Sequence, residues 1–185
     1  MVKTALFLII FLTSCSIKTI KLENGMTKVP ADKHFFDKYY RERYTTKSFK
    51  KIDCNAIYIE AFHSVDIPYK KFFDSRIRNS FIHAIKFYNN GCLNLFNIDT
   101  SKIDTQLFNL NPKKNGYRGV SYIKNNESLI DIIVPINDVY SMGKKTYRVK
   151  INGDTLVLTD KKNHTRYLYL KKELSKQNLI YKPFW

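Results

Sequence analysis

Apolar and polar residues alternate with a period of two along most of the chain beyond residue 55. Ile57, Ile59 and Ala61 interleave with Tyr58, Glu60 and Phe62. Phe81, His83, Ile85 and Phe87 share a face of a second run, and Asn89-Asn90-Gly91 separates it from Cys92-Leu93-Asn94-Leu95-Phe96. A period of two is the mark of strands, and Asn-Gly takes the positive φ that tight hairpin turns require. The design recurs in GVSYIK, Asn125-Asn126, ESLIDIIVPI, and again in KTYRVKI, Asn152-Gly153-Asp154, TLVLTD. A further limb, HTRYLYLKKEL, pairs back across Lys161-Lys162-Asn163. Residues 97–116 break the rhythm and read as a loop marked by Pro112 and Gly116. The pattern predicts about eight strands joined as neighbours, with no βαβ rhythm.

Two stretches change period. Phe35, Phe36, Tyr39, Tyr40 and Tyr44 recur at spacings of three and four, which predicts a short amphipathic helix over about 33–44 whose aromatic stripe packs on the body or, as the alternative this close to the anchor, lies on the membrane interface. Asp66-Ile67-Pro68 has the makings of a helix start, and Tyr69, Phe72, Phe73 and Ile77 continue at helical spacing; this stretch reads as a helix or as a loop. Residues 16–33 are polar and without period, and read as a flexible tether. Residues 178–185 form a tail whose Phe184 and Trp185 can dock on the body. Neighbouring antiparallel strands must hide one face and resolve two edges, and closure does both. The predicted fold is mainly β: an antiparallel up-and-down barrel of about eight strands, preceded by one or two short helices. A β-sandwich is the alternative.

The first fifteen residues follow a different logic. Lys3 is basic, Ala5 to Leu12 is an unbroken apolar run, and Leu12-Thr13-Ser14-Cys15 closes it. The run is too short to span a bilayer, which takes about 20 apolar residues. It fits a secretory signal peptide. Leu12-Thr13-Ser14-Cys15 resembles the lipobox of bacterial lipoproteins. That resemblance implies cleavage before Cys15, lipid on its sulfur and an acyl chain on its new amino group, and several chains together hold a protein durably to a membrane. The expected division is therefore signal peptide 1–14, lipidated N-terminus and tether 15–33, and one domain over 34–185. Ser16 is not the aspartate associated with inner-membrane retention, which favours the outer membrane, facing the periplasm.

Composition narrows the function classes. The net charge of +16 invites a nucleic-acid reading. Export and dispersal argue against it: the lysine doublets at 50–51, 70–71, 113–114, 144–145, 161–162 and 171–172 sit far apart. They suit a solvated, edge-protecting surface. Besides Cys15 there are Cys54 and Cys92. An oxidising compartment permits a disulfide between them; otherwise they are two small buried hydrophobes. The sequence shows no Gly-x-Ser-x-Gly elbow, no paired metal ligands and no glycine-rich phosphate loop. No catalytic residue, metal or cofactor is expected. Asp131 and Glu60 are the strand carboxylates to inspect for acid–base work, with solvent-facing charge as their ordinary fate.

The segments KFYNNGCLNLF, GVSYIKNNESLIDI and TYRVKINGDTLVLTD resemble the lipocalin-like lipoproteins of bacterial envelopes, over about residues 54–172. The Gly-x-Trp motif of secreted lipocalins is absent, and the single tryptophan is Trp185. An eight-stranded barrel is wide enough to hold one small ligand or to fill itself with side chains. The first outcome makes the chain a tethered binder of a small hydrophobic ligand, its cavity lined by Ile59, Phe81, Ile85, Phe87, Leu95, Ile132, Tyr147, Val149, Leu156, Leu158 and Tyr167. The second makes it a structural lipoprotein that docks on an envelope partner. His83 is expected in the core or at the rim.

Overall fold

The computed structural model describes residues 17–39, 51–64, 81–99, 110–136, 141–183 and 185. Eight strands close into one antiparallel barrel: β3 (Ala56–Ser64), β4 (Phe81–Phe87), β5 (Cys92–Asp99), β6 (Tyr117–Lys124), β7 (Glu127–Pro135), β8 (Met142–Asn152), β9 (Thr155–Asp160) and β10 (Arg166–Glu173). Each pairs with its chain neighbours, and β10 pairs with β3 from Arg166↔Ser64 to Glu173↔Ala56 to shut the sheet. This is the antiparallel up-and-down barrel that the alternation predicts, it is consistent with the lipocalin-like barrel that the resemblance implies, and closure excludes the sandwich. The hairpins sit at the expected turns. Asn125 and Asn126 both take positive φ, 51° and 60°, as a two-residue turn between twisted strands demands. Gly91, at φ 83°, closes the β4–β5 turn.

The barrel is filled at one end. Tyr58, Phe87, Leu93, Ile130, Val149 and Leu156 pack together there, and Ile52 plugs the space from the segment before β3. Tyr58 and Phe87 meet edge to face at 5.8 Å, and the Tyr58 hydroxyl accepts the Asp53 N–H at 2.9 Å. Each such buried side chain contributes about 1.5–3 kcal/mol over an exposed one.

The outer wall is dressed by both ends of the chain. Residues 17–33 are not a tether. β1 (Thr19–Lys21) and β2 (Lys28–Pro30) form a hairpin against β6 and β7, with Leu22 and Val29 buried. Asn24 knots its turn: its Oδ1 accepts the N–H groups of Met26 and Thr27, and its Nδ2 reaches Asn115 of the loop before β6. The polar pattern hides this because three-residue strands bury so few side chains that no period develops. Next comes a helical turn at residues 37–39, where the helix over 33–44 is expected; Phe36 and Tyr39 pack on the wall, while Tyr40 and Tyr44 lie outside the described residues. The stretch 66–77 also lies outside them. At the other end, Trp185 is buried and donates its indole N–H to Gly119 O at 3.0 Å. Phe184 lies outside the described residues.

Candidate functional site

The sequence places aromatic and aliphatic side chains on the inner face of every strand, but they do not fill the barrel evenly. Toward the end where β4 begins and β7 finishes, the interior opens into a cavity of about 240 Å³. Its apolar side is Ile85 of β4, Leu95 of β5, Ile132 and Val134 of β7 and Leu158 of β9. Its polar side is His83, Asn97, Lys145 and four tyrosines, Tyr117, Tyr147, Tyr167 and Tyr169, with Pro135 at the rim.

Glu60 organises the polar side. It sits in β3 beside Tyr169 of β10, its side chain only 11% exposed. Its Oε2 accepts the His83 backbone N–H at 3.1 Å and lies 2.7 Å from His83 Nδ1. A carboxylate at Nδ1 selects the Nδ1–H tautomer, which leaves Nε2 as an acceptor. Burial pushes the Tyr147, Tyr167 and Tyr169 phenols above their ordinary value, reinforced at Tyr147 and Tyr167 by the charge of Asp160 and then of Glu60, and at Tyr169 by Glu60. Burial raises Tyr117 too, against a hydrogen bond from Asn97. These phenols therefore stay protonated at neutral pH and remain hydrogen-bond donors. Tyr147 and Tyr167 stack edge to face at 5.9 Å, which stiffens that wall. The cavity thus offers an apolar floor and a wall of fixed polar groups: phenol donors, one imidazole and the Lys145 ammonium.

Six of the expected lining residues border the cavity: Ile85, Leu95, Ile132, Tyr147, Leu158 and Tyr167. Phe87, Val149 and Leu156 face inward but belong to the filled end. Ile59 does not line it. Tyr58 and Glu60 take the inner positions of β3, which turns Ile59 outward against Ile57, Phe96, Ile98 and Leu110. The Phe81 side chain lies outside the described residues. Sequence reading misses Tyr117, Tyr169, Asn97, Val134, Pro135 and Lys145; a strict in–out count from Tyr147 through β8 would have placed Lys145 inside.

The two carboxylates depart from their ordinary fate as solvent-facing charge. Glu60 takes an inner position of β3 and holds His83 of the cavity wall. Asp131 points outward from β7 yet is 0% exposed, because the helical turn of residues 37–39 lies over it. It accepts hydrogen bonds from Tyr39 Oη at 2.5 Å, Tyr122 Oη at 3.0 Å and Thr146 Oγ1 at 2.6 Å, and pairs with Lys144 Nζ at 3.2 Å. Saturated in this way, it is a fastening for the N-terminal segment and has no access to the cavity. Of the two outcomes open to Cys54 and Cys92, the disulfide is not formed: both are free thiols. Cys92 faces the outer wall among Tyr88, Val120 and Trp185, whereas Cys54, in the segment before β3, packs against the cluster that fills the barrel end. Among the described residues no group of three or more His, Cys, Asp or Glu side chains converges as a metal site, and no helix is long and apolar enough to cross a membrane. No family model, curated protein or solved structure matches the chain.

Proposed function

We propose that the chain is a lipid-anchored envelope protein whose barrel holds one small, predominantly apolar molecule with a hydrogen-bonding head. One observation carries the reading: the barrel is filled at one end and empty at the other, and the empty part joins an apolar floor to a polar wall. A barrel built only for docking gains nothing from leaving about 240 Å³ unfilled, since voids of that kind cost packing energy. The volume lies below the usual range of about 300–1,000 Å³ for drug-sized ligands. The ligand is therefore a compact ring or short branched chain, and an extended acyl chain is too large. Its body rests on Ile85, Leu95, Ile132 and Leu158, and its head meets the phenols and His83. Binding without turnover agrees with a sequence that carries no recognisable nucleophile motif.

The anchor in this reading is Cys15 with the lipobox-like sequence before it, and the outer membrane, periplasmic face, is the location that Ser16 favours. A barrel that itself crosses the membrane fits less well. The outward positions of β8 and β10 include Lys144, Arg148, Lys150, Arg166 and Lys172, whereas a spanning barrel presents an apolar band. Labelled palmitate should enter the wild-type chain and not Cys15→Ala. For the cavity, 1-naphthol is a neutral probe of suitable shape. It should bind saturably to the detergent-purified full chain, while a fluorescent long-chain fatty acid should not. Leu158→Trp, which fills the floor, should abolish naphthol uptake. Failure of naphthol to bind, together with no co-purifying small molecule in native mass spectra, would leave the tethered docking module as the reading to adopt.

A further inference from the structure

A second cavity lies outside the barrel and shares no lining residue with the first. It has a volume of about 310 Å³ and lies between the C-terminal tail, the turn of the β4–β5 hairpin and the segment before β3. Its walls include Cys54, Lys86, Tyr88, Asn90, Tyr181 and Lys182. The lining holds two lysines and no carboxylate.

Lys86 is the anomaly. It projects outward from β4 and is only 3% exposed. Its Nζ donates to the backbone carbonyls of Cys54 and Phe87, the latter at 2.9 Å, and lies 5.0 Å from the centre of the Tyr88 ring. Among the described residues it has no ion pair. The Cys54 side chain and, more weakly, Asp53 attract it, and Asp53 itself lies 3.7 Å from Lys171 Nζ. Carbonyl dipoles and a ring face solvate an ammonium only in part, and a buried cation without a counter-charge is costly. Burial accordingly lowers the Lys86 pKa. Apolar side chains are the usual choice for a covered position of this kind. A lysine kept there beside an open cavity, with Lys182 on the opposite wall, is the arrangement of an anion receptor.

We infer that this groove binds a small organic oxyanion, its carboxylate or phosphate set against Lys86 and Lys182 and its body resting on Tyr181 and Leu179. Asn90 fixes the tail that forms the far wall, since its Nδ2 donates to Pro183 O at 2.7 Å. The site is thus assembled from the tail, the β4–β5 turn and the segment before β3. It is independent of the barrel cavity, which lines its own space with different residues.

Trp185 supplies the measurement. It is the single tryptophan and lies edge to face with Tyr88 at 6.5 Å. The full chain is titrated with benzoate, phenyl phosphate, inorganic phosphate and benzyl alcohol while Trp185 emission is followed. Benzoate or phenyl phosphate should give a saturable change, and whichever binds more tightly identifies the carboxylate or the phosphate source. Benzyl alcohol, with the same ring and no charge, should bind at least about tenfold more weakly, as loss of a charge-assisted contact implies. Lys86→Met should weaken the tighter anion by about tenfold or more, and Lys182→Ala by a few-fold. If Lys86→Met does not fold, Lys182→Ala and Tyr181→Ala decide the matter, and a loss of affinity in either supports the site. No saturable response to any anion, equal binding of benzyl alcohol, or unchanged affinity in every folded variant would overturn it. None of those results bears on naphthol uptake by the barrel.

Discussion

At the scale of single residues, Asp131 shows how a charge can be buried without harm. It spends its lone pairs on three hydroxyls and one ammonium, so little of the desolvation cost is left unanswered. The hydroxyl of Tyr39 is the only one of these donors that belongs to the N-terminal segment. Tyr39→Phe should therefore cost about 1.5–3 kcal/mol, the range for a hydrogen bond to a charged group. Asp131→Ala strands the three hydroxyls together and should cost about 3 kcal/mol or more. Because both changes break the same contact, the double variant should fall short of their sum by about 1 kcal/mol or more. Urea unfolding of the four chains measures the cycle. Strict additivity would mean that the Tyr39–Asp131 bond does not fasten the segment.

At the scale of elements, β6 lies against β7 with no room for a side chain at Gly119. A Cβ at Gly119 would lie 2.5 Å from Asp131 O, 2.8 Å from Leu93 Cδ1 and 3.1 Å from Ile132 Cγ1. The first of these is backbone and cannot swing aside. Gly119→Ala should therefore force the two strands apart and destabilise by about 1–3 kcal/mol, the usual cost of overpacking. Gly153, in the β8–β9 turn, has open space around it and a φ of 56°. Gly153→Ala should cost about 1–2 kcal/mol, from backbone strain alone and without displacing any neighbour. Thermal melts of the two variants side by side make the comparison, and a larger loss at Gly153 would refute it. The strands themselves were legible in the sequence because alternation and turn chemistry are local. The Asn125-Asn126 and Asn89-Asn90-Gly91 turns needed no tertiary information to be recognised. Which face of a strand turns inward is less local. β3 is apolar on both faces, with Ile57 and Ile59 under Leu110 outside and Tyr58 within, so alternation alone left Ile59 assigned to the wrong side. The height at which the barrel empties is not local at all. It depends on Ile52 plugging one end, and the segment that carries Ile52 has no period.

At the scale of the whole molecule, the buried phenols make an alkaline limit to the fold. Tyr88, Tyr147 and Tyr169 come from the outer wall, β8 and β10, and burial raises all three above the ordinary phenol value of 10.0. Each holds its proton more tightly folded than unfolded. The stability this represents is fully present below pH 10, and it is lost as pH climbs beyond that value toward the folded-state pKa. Lys86 works in the opposite sense. Burial lowers its pKa from 10.5, so it costs stability while charged, and the cost falls away as pH rises toward 10.5. Lysine relief ends near the unfolded value, whereas the phenol loss continues beyond it, so the phenols decide the outcome at higher pH. Because they sit in both the barrel interior and its outer dressing, their ionisation cannot proceed piecemeal. Circular dichroism of the sheet and tyrosinate absorbance should change together in one steep transition above pH 10, preceded by a shallow rise from the exposed phenols. A cavity ligand that hydrogen-bonds Tyr147 or Tyr169 in its protonated form should move that transition to higher pH, and 1-naphthalenemethanol, an alcohol of similar shape that stays neutral above pH 10 where naphthol ionises, supplies the test by circular dichroism without needing the natural ligand. If instead the absorbance reaches its full value near pH 10 with the sheet signal intact, the phenols are open to solvent, and the polar wall proposed for the cavity is not a dry one.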